Sequence, residues 1–345
     1  MTPEHLRTAD FDYHLPPDLI AQEPLPDRGA SRLLVVERNT SQLADSRFTE
    51  LPSLIPPGDL LVLNTTRVRH ARLLGTRASG AAAEILLIHP GLDGDWVAMG
   101  QPGSALRPGK RITLGPDASV ETIALLDDGN RLVRFIGLSS DEAIQRYGRL
   151  PLPPYITRLP GKLDEVRYQT VYARVEGSVA APTAGLHFTP ELLDRLTAGG
   201  VEVLGLDLQV GPGTFKPVEV EDPALHEMHP EHYEISEALA SGIETVRGKG
   251  GRVWAVGTTV VRALESAARE DRTVKAGSGD TRLMITPGYS FKVIDRMLTN
   301  FHLPRSTLLM LVSAFAGHGL TMAAYRHAIA ARYRFYSYGD AMVII

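Results

Sequence analysis

Cysteine is missing from all 345 residues, which excludes disulfides, thiolate-ligated metals, iron–sulfur clusters and a cysteine nucleophile together. Long apolar runs are missing as well. The longest, residues 308–316, is interrupted by Ser313 and is too short to cross a bilayer. Met1-Thr2-Pro3-Glu4-His5 shows no basic-then-apolar pattern, so a cytoplasmic protein with no membrane partner is expected. Neither sign of charge is in large excess. Against 36 basic side chains stand 40 acidic ones, a formal charge of -4, which argues against a general polyanion binder but leaves room for a local basic patch. No G-x-G-x-x-G follows a strand-like run and no G-x-x-x-x-G-K-[ST] occurs, so Rossmann dinucleotide binding and P-loop phosphoryl transfer are weak readings. Internal repeats and low-complexity tails are absent too.

What is present is an ordinary globular composition, 43% hydrophobic and 22% charged, in a chain longer than one core usually spans. A turn-like opening at residues 11–17 leads to an apolar strand at Arg32–Glu37 and, after Gly58-Asp59, to another at 60–63. From about residue 70 short runs recur at 83–88, 95–99, 110–114, 120–125 and 131–136, separated by clusters such as Gly115-Pro116-Asp117 and Asp127-Asp128-Gly129-Asn130. Strands spaced this way predict a small antiparallel barrel, which the linker-like Leu150-Pro151-Leu152-Pro153-Pro154 ends. Beyond it, helix and strand alternate. Pro190–Ala198 reads as a helix stopped at Gly199-Gly200, 201–210 alternates with period two, and 252–256 reads as a strand. Residues 259–269 read as a helix with Val260, Val261, Leu264 and Ala268 on one side, and 283–285 as a strand. Ser306 caps an apolar helix, and 341–345 form a final buried strand. The expected fold class is α/β: a larger α/β domain with a mixed sheet (1–66 and 150–345) and a small inserted antiparallel β-barrel domain (67–149).

The most informative stretch is Ser178-Val179-Ala180-Ala181-Pro182-Thr183-Ala184-Gly185-Leu186-His187-Phe188-Thr189. Its small side chains let backbone approach a ligand closely, and its imidazole precedes a helix start at Thr189-Pro190-Glu191. An ordered connector with a capping threonine explains the same residues equally well. Three strand exits carry glycine, at Gly211-Pro212-Gly213, Gly257-Thr258-Thr259 and Pro287-Gly288, and ligands of open α/β sheets bind at such carboxyl ends. His226, His229 and His232 sit three apart, but Pro230 disrupts a helix through them and no cysteine assists, so no metal is expected. Arg67, Arg69, His70, Arg72 and Arg77 lie in a stretch free of carboxylates. Arg326, His327, Arg332 and Arg334 are interleaved with Tyr333, Phe335, Tyr336 and Tyr338. Such patterns suit phosphate contact with base stacking, although a terminal helix whose aromatics close the core accounts for the tyrosines. Asn300 and His302 stand just before an apolar helix, where ligand contact and the tying of a turn remain equally open.

Taken together, several segments resemble one family: Leu19-Ile20-Ala21-Gln22, Tyr168-Gln169-Thr170-Val171-Tyr172-Ala173, the stretch from Ser178 to Thr189, Gly213-Thr214-Phe215-Lys216-Pro217-Val218, Val256-Gly257-Thr258-Thr259, 299–306 and 333–342. The chain closely resembles, nearly end to end, the S-adenosylmethionine:tRNA ribosyltransferase-isomerases of the bacterial queuosine pathway. The resemblance implies transfer and isomerisation of the ribosyl part of S-adenosylmethionine onto 7-aminomethyl-7-deazaguanine at the tRNA wobble position, giving epoxyqueuosine-tRNA, adenine and methionine. It implies a larger α/β domain with a small β-barrel domain. S-adenosylmethionine is then a ribosyl-donor substrate, no metal is needed, the partner is tRNA, and a monomer is expected.

That chemistry needs a base for the carbon beside the sulfonium, with His187 as first candidate and His302 as second. It needs a donor toward departing adenine, from Thr258, Asn300 or a tyrosine, and a carboxylate near the acceptor amine, from Glu265, Asp295 or Asp340. Substrate contacts are expected from Tyr168, Gln169, Pro182, Thr183, Ala184, Gly185, Gly213, Thr214, Gly257, Thr258, Thr259 and Asn300. For tRNA they are expected from Arg67, Arg69, Arg72, Arg332 and Arg334. The family usually carries aspartate where this chain has Thr65 and histidine where it has Gln209, and Gln209 is no physiological acid or base. Gly80-Ala81-Ala82-Ala83 is also less polar than usual. A non-catalytic tRNA-binding homologue, or an S-adenosylmethionine enzyme with a small-molecule acceptor, are the alternatives.

Overall fold

The structure, a computed structural model, describes residues 6–215 and 218–345, with Thr214 and Phe215 described in backbone only. Its larger sheet has nine strands, ordered Gly277–Thr281, Glu231–Ile235, Glu202–Leu208, Leu60–Asn64, Val253–Val256, Arg296–Asn300, Ala341–Ile344, Arg32–Glu37 and Gln42–Arg47. Glu202–Leu208, Leu60–Asn64, Val253–Val256 and Arg296–Asn300 run parallel, while Ala341–Ile344 returns antiparallel to the last of them. The mixed α/β architecture follows from burial. Every residue of Leu60–Asn64, Val253–Val256 and Ala341–Ile344 is buried, so these strands read as continuous apolar runs with helices on both faces.

One core packs the helices Glu237–Gly248, Thr258–Ser266, Thr307–Ala316 and His318–Ala330 against the sheet; the other packs Pro190–Ala198 and the Phe48–Leu51 turn. Thr189 and Ser306 cap their helices, accepting from Leu192 N and Leu309 N at 3.2 Å each. No single helix among the described residues is long and apolar enough to cross a membrane.

Residues 72–149 supply a second, antiparallel sheet whose ladder returns on itself. Arg72–Arg77 pairs with Ala82–Pro90 on one side and, through Thr76 and Arg77, with Arg111–Gly115 on the other. Leu73, Ile85, Leu87, Ala98, Ile112, Val120 and Val133 form its interior, into which Val179 of the larger sheet's loops also packs.

Two expectations are corrected. Residues 283–285 are no strand, because Leu283 N donates to Thr281 Oγ1 and Leu283 O accepts from Arg262 Nε. The edge strand is Gly277–Thr281, upstream of the apolar Ile285 that fills the core. The helix expected over 259–269 is Thr258–Ser266, and Ala268 instead bridges to Val274.

Candidate active site

From Leu60–Asn64 the chain moves to Glu202–Leu208 on one side and later returns to Val253–Val256 on the other. That reversal opens a crevice over the carboxyl ends of the parallel strands. Residues 180–184, 257–259, 299–303 and 336–337 line it, with Tyr155, Val210 and Leu308. It opens to solvent at its mouth, and its largely apolar walls carry a few converging polar groups, the pattern of a small-molecule site.

Each wall has a local cause. Gly257 leaves its strand at φ +91°, a conformation that favours glycine, and starts the Thr258–Ser266 helix with Thr258 and Thr259 in the crevice. Ala184 lies opposite, close enough that a Cβ on Gly257 would stand 3.6 Å from its own. Asn300 ends its strand with its amide fixed on both sides. Its Nδ2 donates to Tyr336 O at 2.9 Å, and its Oδ1 stands 3.2 Å from His187 Nε2. An oxygen there requires Nε2 to carry the proton, so His187 Nδ1 accepts from Ser31 Oγ at 2.9 Å. Both nitrogens of His187 are therefore engaged. The ring is 3% exposed, rests 4.9 Å from the Phe48 ring, and burial depresses its pKa to about 4. It stands behind Asn300 and is not among the lining residues.

His302 does line the crevice. Its Nε2 is 2.7 Å from Thr299 Oγ1, and that hydroxyl also reaches Asn300 O at 3.3 Å. Where Thr299 donates to the carbonyl, Nε2 holds the proton and Nδ1 the lone pair; where it donates to the ring, the two nitrogens exchange roles. Burial depresses the His302 pKa to about 3, keeping the ring neutral at physiological pH.

The structure thus brings Pro182, Thr183, Ala184, Gly257, Thr258, Thr259, Asn300 and His302 into one crevice. Other singled-out residues stand elsewhere. Gln169 clamps a strand by accepting from Val68 N at 2.9 Å and donating to Val68 O at 2.8 Å. Tyr168 is buried edge-on to Tyr338. Gly185 lies beneath the loop, where a Cβ would strike the Tyr172 hydroxyl and come within 2.8 Å of Thr170. Gly213 borders a neighbouring pocket, and the Thr214 side chain lies outside the described residues.

The three carboxylates are backbone clamps. Asp340 accepts from Arg32 N at 2.9 Å and Arg334 N at 2.8 Å, and burial raises its pKa. Glu265 accepts from Lys292 N, Val293 N and Ile294 N, and Asp295 from Val253 N. Thr65 Oγ1 donates to Leu206 O, and Gln209 packs over Gly177, so neither lines the crevice.

The arginines differ in what neutralises them. Arg72 pairs with Glu84 at 2.6 Å and Arg332 with Asp18 at 2.6 Å; Arg334 donates to Glu23 O. Arg69 lies over the Trp96 ring, and exposed Arg67 donates to Ala173 O. Tyr333, Phe335, Tyr336 and Tyr338 are buried, so these aromatics close the core. His232 bonds Asp280, and among the described residues no group of three or more His, Asp or Glu is placed to hold a metal.

Sequence reading missed Tyr155 and Ser337, whose hydroxyls meet at 2.6 Å on the crevice wall. Tyr155 follows a proline run that reads as linker, and Ser337 sits in an aromatic cluster that reads as core.

Comparison with known proteins places this geometry in context. A family model described as queuosine biosynthesis protein matches residues 8–344. Relatives named S-adenosylmethionine:tRNA ribosyltransferase-isomerase include one from Symbiobacterium thermophilum, 54% identical over 99% of this chain and 100% of its own. Another from an Azoarcus species is 51% identical over 98% and 97%. A crystal structure of S-adenosylmethionine tRNA ribosyltransferase from Thermotoga maritima is 39% identical, covers 97% of this chain and all of its own, and superposes with a TM-score of 0.57.

Proposed function

Since this chain belongs to the queuosine biosynthesis protein family, we propose that it acts as an S-adenosylmethionine:tRNA ribosyltransferase-isomerase. It transfers and isomerises the ribosyl moiety of S-adenosylmethionine onto tRNA, forming epoxyqueuosine and releasing adenine and methionine. The acceptor is 7-aminomethyl-7-deazaguanine at the wobble position, and the protein works as a monomer. One observation carries the assignment: loops far apart in sequence, at 180–184, 257–259 and 299–303, converge on a single crevice at the strand ends.

Adenosine occupies that crevice. The Gly257-Thr258-Thr259 turn offers hydroxyls and helix N-terminal amides to the purine or ribose. Asn300, held by His187 and Tyr336, retains a second amide proton and a second lone pair for the base edge. His302 is the base for the carbon beside the sulfonium, since its ring reaches the crevice and its neutral form does not repel the incoming cation. His187 is a positioning residue that acts through Asn300. The Asp340 carboxylate ties the 332–341 turn that presents Tyr336 and Ser337.

The self-closing sheet of residues 72–149 forms the body of an inserted barrel domain spanning 67–149, with residues 1–66 and 150–345 as the catalytic domain. Arg67 and Arg69, at the junction, are its main phosphate contacts. Arg72 and Arg332 are paired with Glu84 and Asp18 and contribute less, while Arg334, like Arg67, donates only to a backbone carbonyl and keeps its charge.

The test is incubation of the purified protein with S-adenosylmethionine and tRNA, with or without the aminomethyl-deazaguanine, followed for adenine release. Release only with modified tRNA supports the assignment. Release without RNA overturns it in favour of a small-molecule acceptor, and no release under any condition in favour of a binding protein.

A further inference from the structure

Next to the crevice, across Leu308, lies a smaller pocket walled by Gly211, Gly213, Met228, His229, Glu231 and Arg262. Arg262 is 4% exposed. Its Nε donates to Leu283 O at 3.1 Å and its Nη1 pairs with Glu231, while Nη2 has no hydrogen-bond partner among the described residues. A buried guanidinium edge without a partner is costly unless a ligand completes it. Glu231 is held as well, accepting from Gly211 N at 3.2 Å.

A second feature points the same way. Thr307 and Leu308, the first two residues of a ten-residue helix, also line this pocket. Ser306 caps Leu309 N, so the helix leaves the Thr307 and Leu308 amides without intrahelical partners at its positive end.

We propose that this pocket holds the amino-acid end of S-adenosylmethionine, with the carboxylate on Arg262 Nη2 and the Thr307 helix start, and the ammonium toward Glu231. The inference rests on the ribosyltransferase assignment above. A lone arginine would suit any anion, but a buried Arg262–Glu231 pair is balanced and complements a zwitterion. Spacing agrees: Thr258 and Thr259 face the adenosine crevice, and Arg262 follows one helical turn later on the same side, about 5 Å along the axis. The methionyl chain would run past Leu308, with Met228 beside its carbons.

Calorimetry on the full chain compares S-adenosylmethionine with its decarboxylated form, and adenine release is measured on the same samples. The wild type is expected to bind the decarboxylated donor roughly 10- to 100-fold more weakly, as for loss of a charge-assisted contact. Arg262→Gln should bring the two dissociation constants within about threefold by weakening only the carboxylate-bearing donor. A purely structural Arg262 would weaken both alike. Thr307→Pro provides a second variant that does not depend on Arg262. Proline is tolerated at a first helical position after the extended Ser306, and it removes one amide donor. It too should narrow the ratio. Equal wild-type affinities, or a ratio unchanged in folded variants, would overturn the amino-acid site. Absence of adenine release from the wild type with modified tRNA, its preference for the carboxylate-bearing donor holding, would instead count against the ribosyltransferase assignment.

Discussion

Replacing His187 by alanine removes a ring that no described ligand-facing surface contains, yet the loss should reach the reaction. Deletion leaves Asn300 Oδ1 and Ser31 Oγ without the partners they have at 3.2 and 2.9 Å, inside a buried layer. Leaving one such group unsatisfied costs about 1–3 kcal/mol. The space left against Phe48 adds a cavity term, so unfolding should become easier by roughly 3–5 kcal/mol. Freed on one side, the Asn300 amide can rotate away from its crevice pose, and a misplacement of about 1 Å typically costs about 100-fold in rate. His187→Gln keeps an N–H able to reach Asn300 Oδ1. Adenine release by the glutamine variant should stay within about tenfold of wild type, while the alanine variant falls about 100-fold. Single-turnover assays at saturating donor, with urea midpoints on the same samples, make the comparison. A glutamine variant as inactive as the alanine variant, but equally well folded, would refute positioning and restore His187 as a proton-transfer group.

Four further outcomes follow from the geometry. His302→Gln should lower kcat by 100- to 10,000-fold on the order expected for a lost general base, with donor binding measured by calorimetry little changed. Both histidines are held neutral, with pKa values depressed from 6.5 to about 4 and about 3. Below pH 6.5 the unfolded chain therefore takes up protons that the folded chain refuses. Stability should fall by about 2 kcal/mol for each between pH 7 and pH 5, and the His187→Gln urea midpoint should show a correspondingly shallower fall. Gly185→Ala, whose methyl meets Tyr172 and Thr170, should lower stability by about 1–3 kcal/mol in thermal unfolding. Arg67→Ala should weaken tRNA binding and reduce its salt slope by about 1, whereas Arg72→Ala, already paired with Glu84, should change neither much.

Much of the larger sheet was legible because its central strands are buried on both faces, so Arg32–Glu37, 60–63 and 252–256 stand out as apolar runs. Thr189 and Ser306 were legible as caps for the same local reason, a hydroxyl before a helix-forming run. Edge strands were not. Gln42–Arg47 has no buried residue and Gly277–Thr281 only one, so neither leaves a hydrophobic period to read. Residues 283–285 show the converse, apolar through packing rather than through pairing.

At the site, the glycine exit at Gly257 and the loop around Thr183 could be read because close approach demands small residues. The division of labour between His187 and His302 could not. The proposed division depends on which imidazole the crevice reaches, and His187 is set behind Asn300 by partners 113 and 156 positions away. The partners of the basic stretch from Arg67 to Arg77 were equally hidden, since Glu84 and Glu165, which pair with Arg72 and His70, lie outside it.

The most direct measurement is a crystal structure of the protein soaked with S-adenosylmethionine. The account predicts the purine between the Thr183 loop and the Gly257-Thr258-Thr259 turn, with the carbon beside the sulfonium about 3.5 Å from His302 Nδ1. A nucleoside lodged outside that crevice, or one whose sulfonium faces away from His302, would contradict it.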